Sequence, residues 1–353
     1  MGSMISIDKD KMHFNKKDCR DLNLTGRHEC LISEAGEADL FNQLIGCKKN
    51  PNHTQFVSIE TLTVEDLPEG YRDAEFYELI RGVADLTVKV DVKMTSCHRP
   101  NIWPGKDVPY PFCDYKGKTY LRCGSGLLMV YMFRDGIGLT EDGVTYEDLG
   151  LNCNRCYKTC PCEKCLLSDD PSTVWWEFIV GTAAHVFFDD CEASSTKCMV
   201  FSGEGAKEID LSRFVVDYVN VEEDTANLKY VTCDESLGKT FHAMQRNLDT
   251  LWKEVWTKYE SFDDKLVFVV SHPHGCSKHV SFGHWIDNTE IAEFNKTISI
   301  TQMTYTAATC PGSSGAPVFN VSCPSGHAHS GFMTSENLNF SAIGLYTKKC
   351  NAI

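Results

Sequence analysis

No stretch of this 353-residue sequence is long and apolar enough to cross a bilayer as a helix. The longest apolar runs, "GLLMVYMF" (126–133) and "LVFVV" (266–270), fall far short of the roughly 20 residues that a spanning helix needs. Basic charge is also scarce: 34 Lys and Arg stand against 49 Asp and Glu, for a net charge of −15. A surface of that sign repels phosphate on average, so neither nucleic acid nor an anionic membrane is an expected partner. The first residues carry charge from Asp8 onward and hold no apolar stretch of signal-peptide length. A cytoplasmic protein is therefore expected, with secretion as the alternative if a leader has been removed. Internal repeats, low-complexity tracts and a His-Glu-x-x-His helix are all missing, and the last of these absences argues against that kind of catalytic zinc. Cysteine, by contrast, is plentiful, with 18 residues.

At 42% hydrophobic and 24% charged residues, the chain has the composition of a folded protein able to bury sizeable cores. "DAEFYELIRGV" places Phe76, Tyr77, Leu79, Ile80 and Val83 near one helical face. "LTVKVDVKM" then alternates Leu86, Val88, Val90, Val92 and Met94 with polar residues, the pattern of a half-buried strand. From residue 116 onward short apolar or aromatic segments are separated by turn signals, which predicts a mainly β barrel or sandwich. A single helical segment divides them, with Phe241, Met244, Leu248, Leu251, Val255 and Tyr259 repeating at three and four residues.

Three short motifs carry the chemistry. "TCPGSSGAPVF" (309–319) sets Ser314 on a turn flanked by glycines, which permit a sharp bend and leave amides uncovered. A surface turn is the plain alternative, because Gly and Ser dominate turns for local reasons. A serine becomes a nucleophile only with a base to take its proton and N–H groups to receive the oxyanion. "GTAAHV" places His185 in a corner of small residues after an apolar strand, and "DTANL" places Asp224 at the head of another. Asp189, Asp190 and Asp217 are rival acids.

In the order His, Asp, Ser along a two-part strand-rich chain, "TAAHV", "DTANL" and "GSSGAP" resemble the motifs of trypsin-like (chymotrypsin-fold) serine peptidases. "CGSGLLMV" and "SAIGLYT" bring the chain closer to the HtrA-like and glutamyl-endopeptidase-like branch than to digestive trypsins. The resemblance implies a mainly β double six-stranded barrel with an N-terminal α/β extension and an inter-barrel helix. The implied division is 1–95 for the extension and 96–350 for the peptidase domain. Within that domain, the first barrel spans about 116–233 with a Cys-rich insertion at 151–167, the linker helix about 236–261 and the second barrel about 262–350.

By the same resemblance Ser314 is the nucleophile, His185 the general base, Asp224 the orienting acid, and the Gly312 and Ser314 amides the oxyanion hole. The substrate would be a peptide or protein. Ala308, Thr309 and Tyr346 fall at the substrate pocket; Ala308 there implies no Lys or Arg preference, and Tyr346 stands where glutamyl endopeptidases carry histidine. Two other readings stand beside this one. A catalytically latent or inactive pseudo-peptidase would use the same barrels for binding. An α/β-hydrolase elbow fits less well, since Ala316 breaks Gly-x-Ser-x-Gly and the only later histidines, His327 and His329, precede the only later acid, Glu336.

"CNRCYKTCPCEKC" gathers Cys153, Cys156, Cys160, Cys162 and Cys165. Two C-x-x-C pairs make Cys153, Cys156, Cys162 and Cys165 the candidate ligands of a structural zinc, although the spacer between the pairs is shorter than in the usual knuckle. Disulfides or a plain thiol-rich loop are the alternatives. No cofactor is expected for catalysis. His272, His274, His279 and His284 also crowd together and read as substrate contacts or polar turn residues before they read as a metal site.

Overall fold

The computed structural model describes residues 26–105, 107–140, 143–145, 155–201, 208–262, 265–322 and 325–348. Strands in the first half are β1 (Arg27–His28), β2 (Ile32–Ser33), β3 (Phe56–Ser58), β4 (Thr87–Val92), β5 (Leu121–Arg134), β6 (Ile137–Leu139), β7 (Val174–Thr182), β8 (Thr196–Phe201), β9 (Glu208–Ser212), β10 (Val215–Asn220) and β11 (Thr225–Thr232). The second half holds β12 (Leu266–Ser271), β13 (His279–Asn295), β14 (Ile298–Tyr305), β15 (Pro317–Asn320), β16 (Ser325–Met333), β17 (Leu338–Ser341) and β18 (Gly344–Thr347). The α-helices are α1 (Glu37–Ile45), α2 (Ala74–Leu86), α3 (Glu163–Leu166), α4 (Asp190–Ser194) and α5 (Glu235–Tyr259).

These strands make two curled antiparallel sheets, the mainly β architecture of a chymotrypsin-like double barrel. The second sheet closes as a six-strand ring, running β12, β13, β14, β18, β16, β15 and back to β12. The first is an open curl in the order β10, β11, β7, β5, β4, β8, β9, with β2 and β6 attached to β5. Apolar residues of both sheets merge into one large core, into which α2 and α5 press. Helix α5 begins where the Asp234 carboxylate accepts the Leu237 N–H at 3.0 Å, and it buries Phe241, Leu248, Val255 and Tyr259.

The segment before residue 95 is not a separate unit. Its strand β4 lies between β5 and β8 in the first sheet, β3 adds to β13, β2 to β5, and β1 to β16. The expected boundary at 95 therefore does not coincide with a structural division, because Val88, Val90 and Val92 belong to the common core. Strand β4 is also buried on both faces rather than one. Its polar face is internally satisfied: Lys89 pairs with Asp91 at 3.0 Å, and the Cys123 thiol donates to Asp91 at 2.9 Å.

Candidate active site

Strand β7 ends in Thr182, and the fully buried Ala183 and Ala184 let the chain turn tightly into His185. Pairing of β11 with β7, Ala226 opposite Thr182, delivers Asp224 to the same place. Asp224 adopts the left-handed backbone conformation (φ 57°), which Asp tolerates better than most side chains. Its carboxylate accepts the His185 backbone N–H at 2.9 Å and meets His185 Nδ1 at 2.9 and 3.0 Å. The Ser330 hydroxyl donates to the same carboxylate. Burial opposes the charge, but the His185 imidazole, His28 and the Ser330 hydroxyl hold the Asp224 carboxyl below its ordinary value. Of the rival acids, Asp189 caps α4 and receives the Ser96 hydroxyl, Asp190 accepts the Val216 N–H, and Asp217 pairs with Lys229.

The serine turn is clamped by the first sheet. Ser125, in the middle of β5, donates its hydroxyl to the Gly312 carbonyl at 2.8 Å and its N–H to the Ser314 carbonyl at 2.7 Å. Gly312 has φ 99°, and a Cβ there would stand 2.6 Å from the His272 carbonyl oxygen, so only glycine fits. The Pro311 carbonyl accepts the His274 N–H at 2.6 Å. Because a trans peptide points its C=O and N–H in opposite directions, that bond turns the Gly312 N–H away from the His272–Gly275 turn. Among the described residues, the N–H groups of Gly312 and Ser314 donate to no other backbone carbonyl.

Ser314 and His185 line the same small cavity, together with Glu29 and Cys30, but their side chains are not hydrogen-bonded to each other. His185 Nε2 has no hydrogen-bond partner among the described residues, while the Ser314 hydroxyl donates to the Glu29 carbonyl at 2.6 Å. The stretch Arg27–Ser33 thus lies across the site. Arg27 and His28 pair with Phe332 and Gly331 of β16, the Glu29 N–H donates to the Ser330 carbonyl at 3.3 Å, and Ile32 pairs with Arg122 of β5. His28 stacks on Trp103 at 4.2 Å and lies 5.0 Å from the His185 ring.

The Glu29 side chain enters a polar pocket. One carboxylate oxygen meets His329 Nε2 at 2.7 Å and the other the Lys49 ammonium. Lys49 also donates to Thr309 Oγ1 and Asn339 Oδ1, both at 2.9 Å. Burial works against the Glu29 charge, but Lys49 and His329 bring its carboxyl down to about 2. Burial lowers His329 below the ordinary imidazole value against the pull of Glu29. The Tyr305 hydroxyl lies 2.6 Å from His329 Nδ1, and burial keeps that phenol protonated. With the phenol donating, the imidazole proton sits on Nε2 and points at the carboxylate.

Of the expected pocket residues, Thr309 lies here, and Ala308 is buried nearby with its carbonyl accepting the Ser281 hydroxyl at 2.7 Å. Tyr346 does not take the place of the pocket histidine: it lies on β18, opposite Ser299 and Ser325. The imidazole that reaches the carboxylate is His329, on β16, which motif reading passed over. Alternation along "HAHSGF" places His327 and His329 on one side of a strand and was the available signal.

Among the described residues, two groups of four metal-type donors lie outside this constellation, each with its donor atoms within 4.8 Å of one another, besides the three-membered His98, Asp189 and Cys191. The first is Cys160, Cys162, Cys165 and Cys233. Expected ligands Cys162 and Cys165 belong to it, but Cys156 is exposed and outside it, and Cys153 falls outside the described residues. The short C-x-C and C-x-x-C spacing presents three thiols, and Cys233, just beyond β11, supplies the fourth from a different part of the chain. Burial alone would raise the Cys162 thiol, but hydrogen bonding with Cys165, Cys160 and Cys233 brings it down to about 7. The second group is Cys47, His53, His274 and Cys310. His274 is buried with neither ring nitrogen hydrogen-bonded among the described residues, and burial, with His53 beside it, lowers its imidazole to about 4.

No family model and no curated protein matches the chain. Among solved structures it is similar to the active form of the Rv3671c protease from M. tuberculosis, at 12% identity and TM-score 0.35 over 75% of this chain and 78% of that one. It is also similar to the HtrA-type protease AlgW with decapeptide, at 12% identity and TM-score 0.34 over 77% of this chain and 64% of that one. At these values the likeness decides neither activity nor substrate, which rest on the site itself.

Proposed function

We propose that this protein is a serine endopeptidase that cuts peptide bonds through Ser314, His185 and Asp224 and an acyl-enzyme. The observation that carries the reading is the buried His185–Asp224 pair, with Nδ1 2.9 Å from the carboxylate, beside a serine on a turn held open by Gly312. Asp224 fixes the imidazole with its proton on Nδ1, which leaves the Nε2 lone pair for the serine proton. Ser314 Oγ then bonds to the substrate carbonyl carbon, and the Gly312 and Ser314 N–H groups receive the oxyanion. His185 returns the proton to the leaving amine, and water releases the acid product.

A latent enzyme is the second reading, favoured by the Ser314 hydroxyl being engaged by Glu29 rather than by His185. Treatment with a fluorophosphonate probe and peptide mapping tests both. One adduct per chain, on Ser314, is expected; a folded protein that takes up no label speaks for the latent reading and against the endopeptidase.

The two groups of four donors fit structural zinc, since thiolates and neutral imidazoles are its preferred ligands and four donors close a tetrahedron. The first would brace the β5–β7 edge, where Cys160 and Cys165 pack with Phe133 and Trp175. The second would tie the N-terminal segment to Cys310, directly before the serine turn. Elemental analysis of the purified protein is expected to give two zinc ions per chain, with one lost in Cys165→Ser and the other in Cys47→Ser. Zinc-free wild-type protein, or a mapped disulfide between Cys47 and Cys310, would rule out the corresponding site.

A further inference from the structure

The segment Arg27–Ser33 lies across Ser314 and pairs with both sheets as the strand of a peptide substrate would. From it we infer that the protein is its own substrate, and that the bond it cuts in itself is Glu29–Cys30. This inference rests on the serine-peptidase reading. On the N-terminal side of that bond, Arg27 and His28 form an antiparallel strand with β16, and the Glu29 N–H reaches the Ser330 carbonyl at 3.3 Å. On the other side, the Leu31 carbonyl accepts the Cys123 N–H at 3.4 Å, and Ile32 pairs with Arg122. The backbone is therefore gripped by the second sheet before the bond and by the first sheet after it. Between these grips the Glu29 carbonyl is presented to Ser314, with Oγ 2.6 Å from its oxygen.

The side chain explains why this bond and not a neighbour is chosen. A carboxylate at Glu29 satisfies both the His329 Nε2–H and the Lys49 ammonium in a buried pocket, where an apolar or basic side chain would leave the His329 N–H without an acceptor and the Lys49 charge without a counter-ion. Glutamine keeps the hydrogen bond to His329 but loses the charge pairing with Lys49.

In the reaction Ser314 Oγ bonds to the Glu29 carbonyl carbon and passes its proton through His185 to the Cys30 nitrogen as the Glu29–Cys30 bond breaks. Water then splits the ester, leaving a free carboxylate on Glu29 and a new N-terminus at Cys30. Residues 26–29 are then held in the cleft by noncovalent contacts alone, and departure of the fragment that they end opens the cleft to other peptides.

Intact mass and N-terminal sequencing of the full chain over time test the proposal. Wild type is expected to convert to a chain beginning at Cys30, with a half-time independent of protein concentration, because the segment lies in its own cleft. Ser314→Ala and Glu29→Lys stay whole at this bond, and Glu29→Gln is cut about tenfold more slowly. A wild type labelled at Ser314 by the fluorophosphonate yet intact at Glu29–Cys30 overturns self-cleavage and leaves the peptidase reading standing. A half-time that shortens with concentration, or cutting of Glu29→Lys at the wild-type rate, also overturns the proposal. Absence of both label and cutting removes the two readings together.

Discussion

Asp224→Asn is expected to lower turnover of a peptide substrate about 10⁴-fold with the fold unchanged, and Ser314→Ala to lower it at least as far, to the residual catalysis that an oxyanion hole and binding alone provide. Asp224 accepts the His185 backbone N–H, faces His185 Nδ1 and takes the Ser330 hydroxyl, so its oxygens serve entirely as acceptors. An asparagine oxygen can still accept the backbone N–H, and that is why the turn survives. Its amide, however, presents a donor to Nδ1, which drives the imidazole proton to Nε2. An imidazole in that tautomer cannot take the serine proton. Initial rates on a peptide carrying the Arg-His-Glu-Cys order of residues 27–30, with circular dichroism to establish folding, provide the measurement. A decrease of less than about tenfold for Asp224→Asn would show that Asp224 does not hold the tautomer, and the rival acids would have to be tried in its place.

Much of this site was legible because its parts are local. A small-residue corner before His185, an Asp heading a strand and a glycine-flanked serine each mark a backbone requirement visible within five or six residues. The two long helices were legible for a similar reason: α2 and α5 each bury one stripe, so their apolar residues recur at the helical period. What escaped depends on residues remote in sequence. Alternation along β4 showed its valines correctly, but that Lys89 and Asp91 are also buried follows from their mutual pairing and from Cys123. The thiol group needed Cys233, which no local spacing connects to "CPCEKC". Of Ala308, Thr309 and Tyr346, the last lies on β18, whereas the imidazole that meets Glu29 comes from β16, because position in a motif does not specify which strand faces the cleft. His329 becomes recognisable only when Glu29, Lys49 and Tyr305, drawn from three distant segments, surround it.

Glu192→Ala is expected to destabilise the fold by about 3–5 kcal/mol, a large part of the roughly 5–15 kcal/mol by which a domain is held. Glu192 is fully buried at the start of the short helix after His185, and its carboxylate gathers two guanidinium groups. Arg99 Nε and Nη2 approach it at 2.7 Å and Arg122 Nη2 at 2.8 Å, while the Ser96 and Phe188 N–H groups donate at 2.8 and 2.9 Å. Burial and the neighbouring Arg99 already pull Arg122 down to about 10. Removing the carboxylate leaves two cations facing each other out of water, a cost much larger than the net value of the ion pairs themselves. Glu192→Gln keeps the shape and some of the hydrogen bonds and should lose less. Urea unfolding of the three proteins checks the order, and a loss below about 1 kcal/mol for the alanine variant would mean that water reaches the guanidinium groups. The site should feel the change as well, since Arg99 Nη1 donates to the His185 carbonyl at 3.1 Å. The same buried carboxylate that holds two arginines therefore holds, through one of them, the backbone of His185. Activity in Glu192→Gln should accordingly decline by more than its stability loss predicts, because a base displaced by a fraction of an ångström is costly even in a folded enzyme.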